Sequence, residues 1–257
     1  MHRPEARPEL PDLDAAALVH VARAAAGAEP QAAWISGSHA QGIAHARSDV
    51  DLYVLVDGGG GGIVRTREGA QTVECDLWAA AAVDAVLDRL AAVDPSGASP
   101  DDLAAFGYDR LGLLHGLRIG IPVLGADAFE ALRRRCLADR VAALIERRNS
   151  DRIAVLLDDA AGMQEAGNLL GACLRARDAV GIAVDLLLNR TGRVYINPKS
   201  RSGLIAGIGL DDGPVAAMVA AYLAIESRLP EAADGRAAYL ERCRALVGSL
   251  LGAGGAQ

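Results

Sequence analysis

The sequence predicts an α/β (α+β) protein in which a small mixed-sheet domain, residues 1–125, precedes an α-helical bundle domain, residues 126–257. Three observations predict it. Apolar runs cut off by glycine and polar turns are confined to the first half and read as strands. From Asp151 onward the periodicity is almost entirely helical with short connections, as in an antiparallel bundle. The 257 residues are 51% hydrophobic yet only 4% aromatic, so the core has to be assembled from small aliphatic side chains on helices.

Residues 1–11 hold three prolines and several charges and read as a loose arm. Asp12 or Asp14 can accept from the first N–H groups of a helix running to about Ala26. Pro30 closes a linker into a strand over Gln31–Ser36. A glycine turn at Gly37 leads to a short helical turn near His39–Ala44. Asp49–Val56 is a second strand, almost continuously apolar as in a strand covered on both faces. The run Asp57–Gly62 lacks the Gly-Lys-Ser/Thr ending and following helix of a phosphate loop, so it reads as a loose hairpin tip. Ile63–Arg67 and Gln71–Trp78 form a strand pair turning at Glu68-Gly69. Helices follow over Ala79–Val93, from Ser99 or Asp101 to about Arg118, and over Asp127–Arg148. Later helices are expected over 151–161, 164–189, 213–229 and 234–251, interrupted by the polar, extended stretch Thr191–Lys199.

The formal net charge of −7 argues against a sequence-independent grip on nucleic acid, which needs a basic face. Arg133-Arg134-Arg135 and Arg147-Arg148 read as the solvated sides of helices. Cys75, Cys136, Cys173 and Cys243 are widely spaced with no Cys-x-x-Cys, so no zinc site is expected. They read as small buried hydrophobes in a reducing compartment. Met1–Glu5 has no apolar signal core, and no run approaches membrane-spanning length. The expectation is a soluble, cytoplasmic protein with no membrane partner.

The chemistry is concentrated in Gly37-Ser38 and, about ten residues later, Ser48-Asp49-Val50-Asp51, each beside an apolar run. Side chains two apart on a strand share a face, so Asp49 and Asp51 are expected to project together, about 6–7 Å apart at the backbone. Carboxylates that close repel unless a cation sits between them. Hard oxygen donors favour Mg²⁺ or Mn²⁺, and Mg²⁺ also takes substrate phosphates. A Gly-Ser turn can bring backbone N–H groups and a hydroxyl up to a phosphate. The combination reads as a site for a metal-bound nucleoside triphosphate. Two-metal transfer needs a third carboxylate. Glu74 and Asp76, two apart on the next strand, come within reach if that strand pairs beside 49–56 at about 4.8 Å.

The ordered pair, Gly37-Ser38 then Ser48-Asp49-Val50-Asp51, resembles the signature of the DNA polymerase beta-type nucleotidyltransferase superfamily, particularly its antibiotic-modifying and small stand-alone members. The resemblance is good over Ala32–Trp78 and loose elsewhere. Ile119–Gly125 resembles the short strand that closes the catalytic sheet there. Val73-Glu74-Cys75 resembles the Val-Glu-Val of aminoglycoside nucleotidyltransferases, and Cys75-Asp76-Leu77 the apolar-Asp-apolar pattern of smaller members. Glu74 is therefore taken first as ligand or base, and Asp76 second.

The resemblance implies that Gly37 and Ser38 hold the β- and γ-phosphates while Asp49 and Asp51 ligate metal. Ser48 either orients the carboxylates or closes a turn, and Arg47 either touches triphosphate or lies in solvent. His39 and His45 are expected at surface or supporting positions. Asp185–Arg190, Tyr195 and Asn197-Pro198-Lys199 resemble the helical domain of some bacterial members. Lys199 would then contact phosphate or acceptor, or else cap helix-end carbonyls. The set Glu165, Arg175, Asp178 and Asp185 is expected to include an acceptor-side base. The implied reaction is metal-dependent transfer of a nucleoside monophosphate, AMP from ATP by default, to a hydroxyl or phosphate of a small molecule such as an aminoglycoside-like compound, releasing pyrophosphate. The alternatives are nucleotidylation of a protein or RNA end, and a non-catalytic nucleotide-binding, antitoxin-like module.

Overall fold

A computed structural model describes residues 14–190, 201–206 and 214–252 of the chain. The expected arm over 1–11 and the stretch Thr191–Lys199, Lys199 included, lie outside the described residues. The chain divides into two compact units, residues 1–141 and 142–257. The division falls beyond the expected 125/126 because the helix after the last strand packs back into the first unit. Its Phe129 ring lies 5.5 Å from Trp34.

In the first unit, α1 (Ala15–Ala26) starts where Asp14 Oδ1 accepts from Ala16 N at 2.8 Å, and it stops at Gly27 in the left-handed region, a common helix stop. Next come β1 (Ala32–Ile35), the single helical turn α2 (Gly37–Ala40), β2 (Val50–Val56), β3 (Ile63–Glu68) and β4 (Gln71–Ala79). With β5 (Ile121–Leu124) they form one sheet in the order β3-β4-β2-β1-β5. Only β2 and β4 run parallel; the other neighbours are antiparallel. Leu18, Val21 and Ala22 of α1 cover one face, packed on Ala33, Ile35, Val50, Leu52, Val54, Val73 and Cys75. The side-chain period of a strand is two, so Trp34, Asp51, Tyr53, Glu74 and Asp76 fall on the other face. In the glycine run after β2, Gly60 is close-packed: a Cβ there would stand 2.1 Å from Ala79 N. The tip is thus anchored to the end of β4 rather than loose.

After α3 (Ala80–Ala92), the helix expected from Ser99 or Asp101 to Arg118 proves to be two, α4 (Pro100–Ala105) and α5 (Tyr108–Ile119). Ser99 and Asp102 close a capping box that starts α4. The break comes where Phe106 leaves helical geometry and buries its ring. α5 meets the second face of the sheet through glycines four apart. A Cβ on Gly112 would stand 3.2 Å from the Tyr53 hydroxyl, and one on Gly116 3.3 Å from Trp34 Nε1. On Gly120 it would stand 2.6 Å from Trp34 Cδ1. Bare backbone there lets the helix settle on the Trp34–Tyr53 stack, whose rings lie 5.6 Å apart and 9° from parallel. The helix expected over 127–148 breaks at Leu137, φ 46°, between α6 (Ala126–Arg135) and α7 (Ala138–Glu165). α7 then runs straight through the expected gap near Asn149-Ser150.

In the second unit, α8 (Leu169–Arg190) is the buried axis, with every residue from Ala179 to Asn189 out of solvent. α9 (Arg201–Ala206) was not expected; α10 (Pro214–Ser227) and α11 (Ala233–Gly252) were. Arg201 donates to both carboxylate oxygens of Asp185, at 2.6 and 2.9 Å, where a Cβ on Gly181 would collide with its guanidinium. Burial raises the Asp185 carboxyl and Arg201 pulls it back down. Asp185 is therefore committed to Arg201, whereas Asp178 lies in solvent 3.7 Å from Arg175. All four cysteines are buried and unpaired, and burial pushes Cys75, Cys136 and Cys243 up to about 11. Among the described residues no helix is long and apolar enough to cross a membrane.

The Gly120 packing sets an expectation. Gly120→Ala would place its methyl 2.4 Å from the Gly116 carbonyl oxygen and should destabilise the first unit by about 1–3 kcal/mol in urea unfolding. Gly248→Ala in α11 meets nothing within 4 Å and should stabilise by about 0.5–1 kcal/mol.

Candidate functional site

The end of β1 is tied to the start of β2 by Ser36 N donating to Asp51 O at 2.8 Å. The chain leaving β1 must therefore turn against Asp51, and Gly37 makes that turn with φ 59°. A Cβ at Gly37 would sit 1.7 Å from Asp51 Oδ2. Position 37 thus excludes a side chain twice over, by backbone conformation and by space. The N–H groups of Gly37, Ser38 and His39 open α2, where a helix has no internal partners for its donors. The Gly-Ser turn and the Asp51 carboxylate are thus in direct contact.

The register carries that site across the sheet. Asp51 lies beside Glu74 and Tyr53 beside Asp76 on the parallel pair β2/β4. Glu74 is also engaged from the other side: Arg65 of β3, directly opposite it, donates from Nε to Glu74 Oε2 at 2.6 Å. Burial holds the Asp76 carboxyl above its ordinary range, with Asp109 and Glu74 pushing the same way and the Trp78 indole N–H pulling it back. The Tyr53 phenol is raised by burial first and then by Asp76, Asp51, Tyr108 and Asp109. Arg65, Tyr108 and Asp109 were not singled out from the sequence. The spacing Gly112, Gly116, Gly120 was the available signal for the last two, since it lays α5 across the face and brings its first turn to the carboxylates.

The segment from His39 to Asp49 moves one expected boundary. Pairing of β2 begins at Val50, so Asp49 stands immediately before the strand. Ser48 closes a turn: its Oγ accepts from His45 N at 3.0 Å, and its own N–H donates to His45 O at 2.8 Å. His39 is not a surface residue; it is 4% exposed, and neither ring nitrogen has a hydrogen-bond partner among the described residues. Burial lowers its pKa, while the Ser48 backbone and Asp49 push the other way. Arg47 and His45 are exposed. Beneath the turn, the Gln41 amide lies 3.1 Å from His115 Nε2. His115, 7% exposed, is lowered to about 4 by burial and by Arg118.

The fit to a divalent cation follows from this arrangement. Among the described residues no group of three or more His, Cys, Asp or Glu side chains is gathered closely enough to hold a metal ion. The expected trio of Asp49, Asp51 and Glu74, or its variant with Asp76, is therefore not assembled, and Glu74 is drawn to Arg65. Asp51 and Glu74, neighbours in register, are a two-carboxylate set of the kind taken by an ion that keeps waters and draws its remaining oxygens from a phosphate chain.

No protein-family model matches the chain, and no curated protein matches it. Among solved structures it is similar to a nucleotidyltransferase-like protein from Exiguobacterium sibiricum 255-15, at 13% identity and a TM-score of 0.47. The match covers 92% of this chain and 72% of that one.

Two outcomes are expected from this geometry. Gly37→Ala should cost about 1–3 kcal/mol in unfolding free energy, read by urea titration. His115 is neutral in the fold and has a pKa below its unfolded value near 6.5. Its contribution is therefore full above pH 6.5 and is lost as pH falls toward about 4. Stability should drop by about 2 kcal/mol between pH 7 and pH 5, and His115→Gln should flatten that slope.

Proposed function

We propose that the first unit is the catalytic part of a nucleotidyltransferase. It moves a nucleoside monophosphate, AMP from ATP by default, to a hydroxyl or phosphate of a small molecule and releases pyrophosphate. The observation that supports this reading best is Gly37 seated against Asp51, where a turn suited to phosphate meets a carboxylate with no side chain between. A triphosphate and a carboxylate brought that close repel unless a cation is shared between them. Asp51 and Asp49, with Glu74 beside, are the residues that would hold Mg²⁺ or Mn²⁺. Such an ion, when bound, neutralises the phosphates and polarises the centre under attack.

The chain's own groups account for the rest. The N–H groups of Gly37 and Ser38 and the Ser38 hydroxyl receive the β- and γ-phosphate oxygens, with Arg47 exposed nearby. The acceptor oxygen attacks the α-phosphorus in line, and the bond to the bridging oxygen of the β-phosphate breaks. The acceptor's proton passes to a carboxylate; Asp76, two residues beyond Glu74 on the same face, is our choice for that base. A net charge of −7 favours a small acceptor over a nucleic acid.

Asp49→Asn and Asp51→Asn should each lower transfer by at least about a hundredfold without lowering the melting temperature. The assay is mass spectrometry of products formed from ATP, Mg²⁺ and a panel of hydroxylic acceptors. Turnover within about twofold of the parent in either variant removes the metal assignment.

A further inference from the structure

Four groups line up across the acidic face. Arg65 on β3 is directly opposite Glu74 on β4, Glu74 is beside Asp51 on β2, and Asp51 touches the backbone of Gly37. Residues directly opposite in an antiparallel pair share a face, so the row runs from an edge strand to the phosphate-type turn. At its outer end, Arg65 Nε donates to Glu74 Oε2 at 2.6 Å, with the arginine side chain 72% and the glutamate 21% exposed. An ion pair with one member so wet is weak. It is strong enough to orient Glu74 when no stronger cation competes, and too weak to keep one out.

Resting on the nucleotidyl-transfer reading, we infer that Arg65 is a donor-phosphate ligand that sits on Glu74 in the nucleotide-free protein and exchanges it for the triphosphate. A guanidinium has a planar fork of N–H donors that fits phosphate oxygens better than a single carboxylate contact uses it. Two strand spacings, about 10 Å, separate β3 from β2. A triphosphate seated at Gly37 and an arginine side chain reaching inward close that distance from both ends. The exchange keeps every charge partnered: the guanidinium passes from carboxylate to phosphate, and the carboxylate it leaves is offered to the divalent ion. It also explains why a third ligand stands in register with Asp51 while no three-ligand group is gathered. The protein would then have little affinity for the ion alone and would take it up with the nucleotide.

The test uses the full chain and two probes. Mn²⁺ binding is followed by loss of the free-ion electron paramagnetic resonance signal, with no nucleotide present. Magnesium tripolyphosphate, which carries the donor's phosphate chain without a base, is titrated by calorimetry. Arg65→Gln should bind Mn²⁺ at least about threefold more tightly than the parent, and tripolyphosphate about tenfold more weakly. Arg65→Lys, which keeps the charge but loses the fork, should recover part of the tripolyphosphate affinity. A purely structural role for Arg65 in the hairpin would move neither affinity, and either one unchanged in Arg65→Gln overturns the inference. Asp51→Asn separates the two failures. If it abolishes Mn²⁺ binding while Arg65→Gln leaves it untouched, the exchange alone is wrong. If Arg65→Gln, with Glu74 freed, binds no Mn²⁺ that a further Asp51→Asn removes, the transfer reading falls with it.

Discussion

A carboxylate oxygen occupies the space where any side chain at position 37 would begin. That exclusion fixes more than a turn. β1 and β2 are joined by the Ser36–Asp51 bond, so the helical turn α2 cannot slide along the strand without driving its backbone into Asp51. Asp51 in turn is held in register with Glu74, and Glu74 with Arg65. The missing Cβ thus seats the turn against one end of a row of charged groups that crosses three strands.

The two faces of the sheet obey different rules. The α1 side is dry and aliphatic, a conventional core of leucine, valine, isoleucine and alanine. The α5 side combines the Trp34–Tyr53 stack with acids and with nitrogens that lack partners. Trp34 Nε1, both ring nitrogens of His39 and His115 Nδ1 are buried without a hydrogen bond among the described residues. Buried polar atoms without partners are costly.

Much of the first unit was legible in the sequence. The strands are short runs with clear punctuation, but the β3/β4 turn falls at Gly69-Ala70, one residue beyond the expected Glu68-Gly69. Only that shifted register puts Arg65 opposite Glu74. The helix boundaries were harder. The break at Phe106 comes with burial of its ring and is followed by Gly107, whereas Leu137, φ 46°, is an exposed position with no proline or glycine beside it. The continuation of α7 past Asn149-Ser150 shows packing overriding weak helix formers. For the site, the residue types were readable, but Asp49 falling outside β2 and His39 being buried depend on where the loop folds back, which periodicity does not encode.

The distribution of thiols has a practical consequence. Cys75 and Cys136 lie in the first unit and Cys173 and Cys243 in the second, all shielded and held in the sulfhydryl form by their surroundings. Reaction with an alkylating reagent must wait for the surrounding structure to open. Peptide mapping of the labelled cysteines would then time the opening of each unit separately, with no probe introduced into the chain.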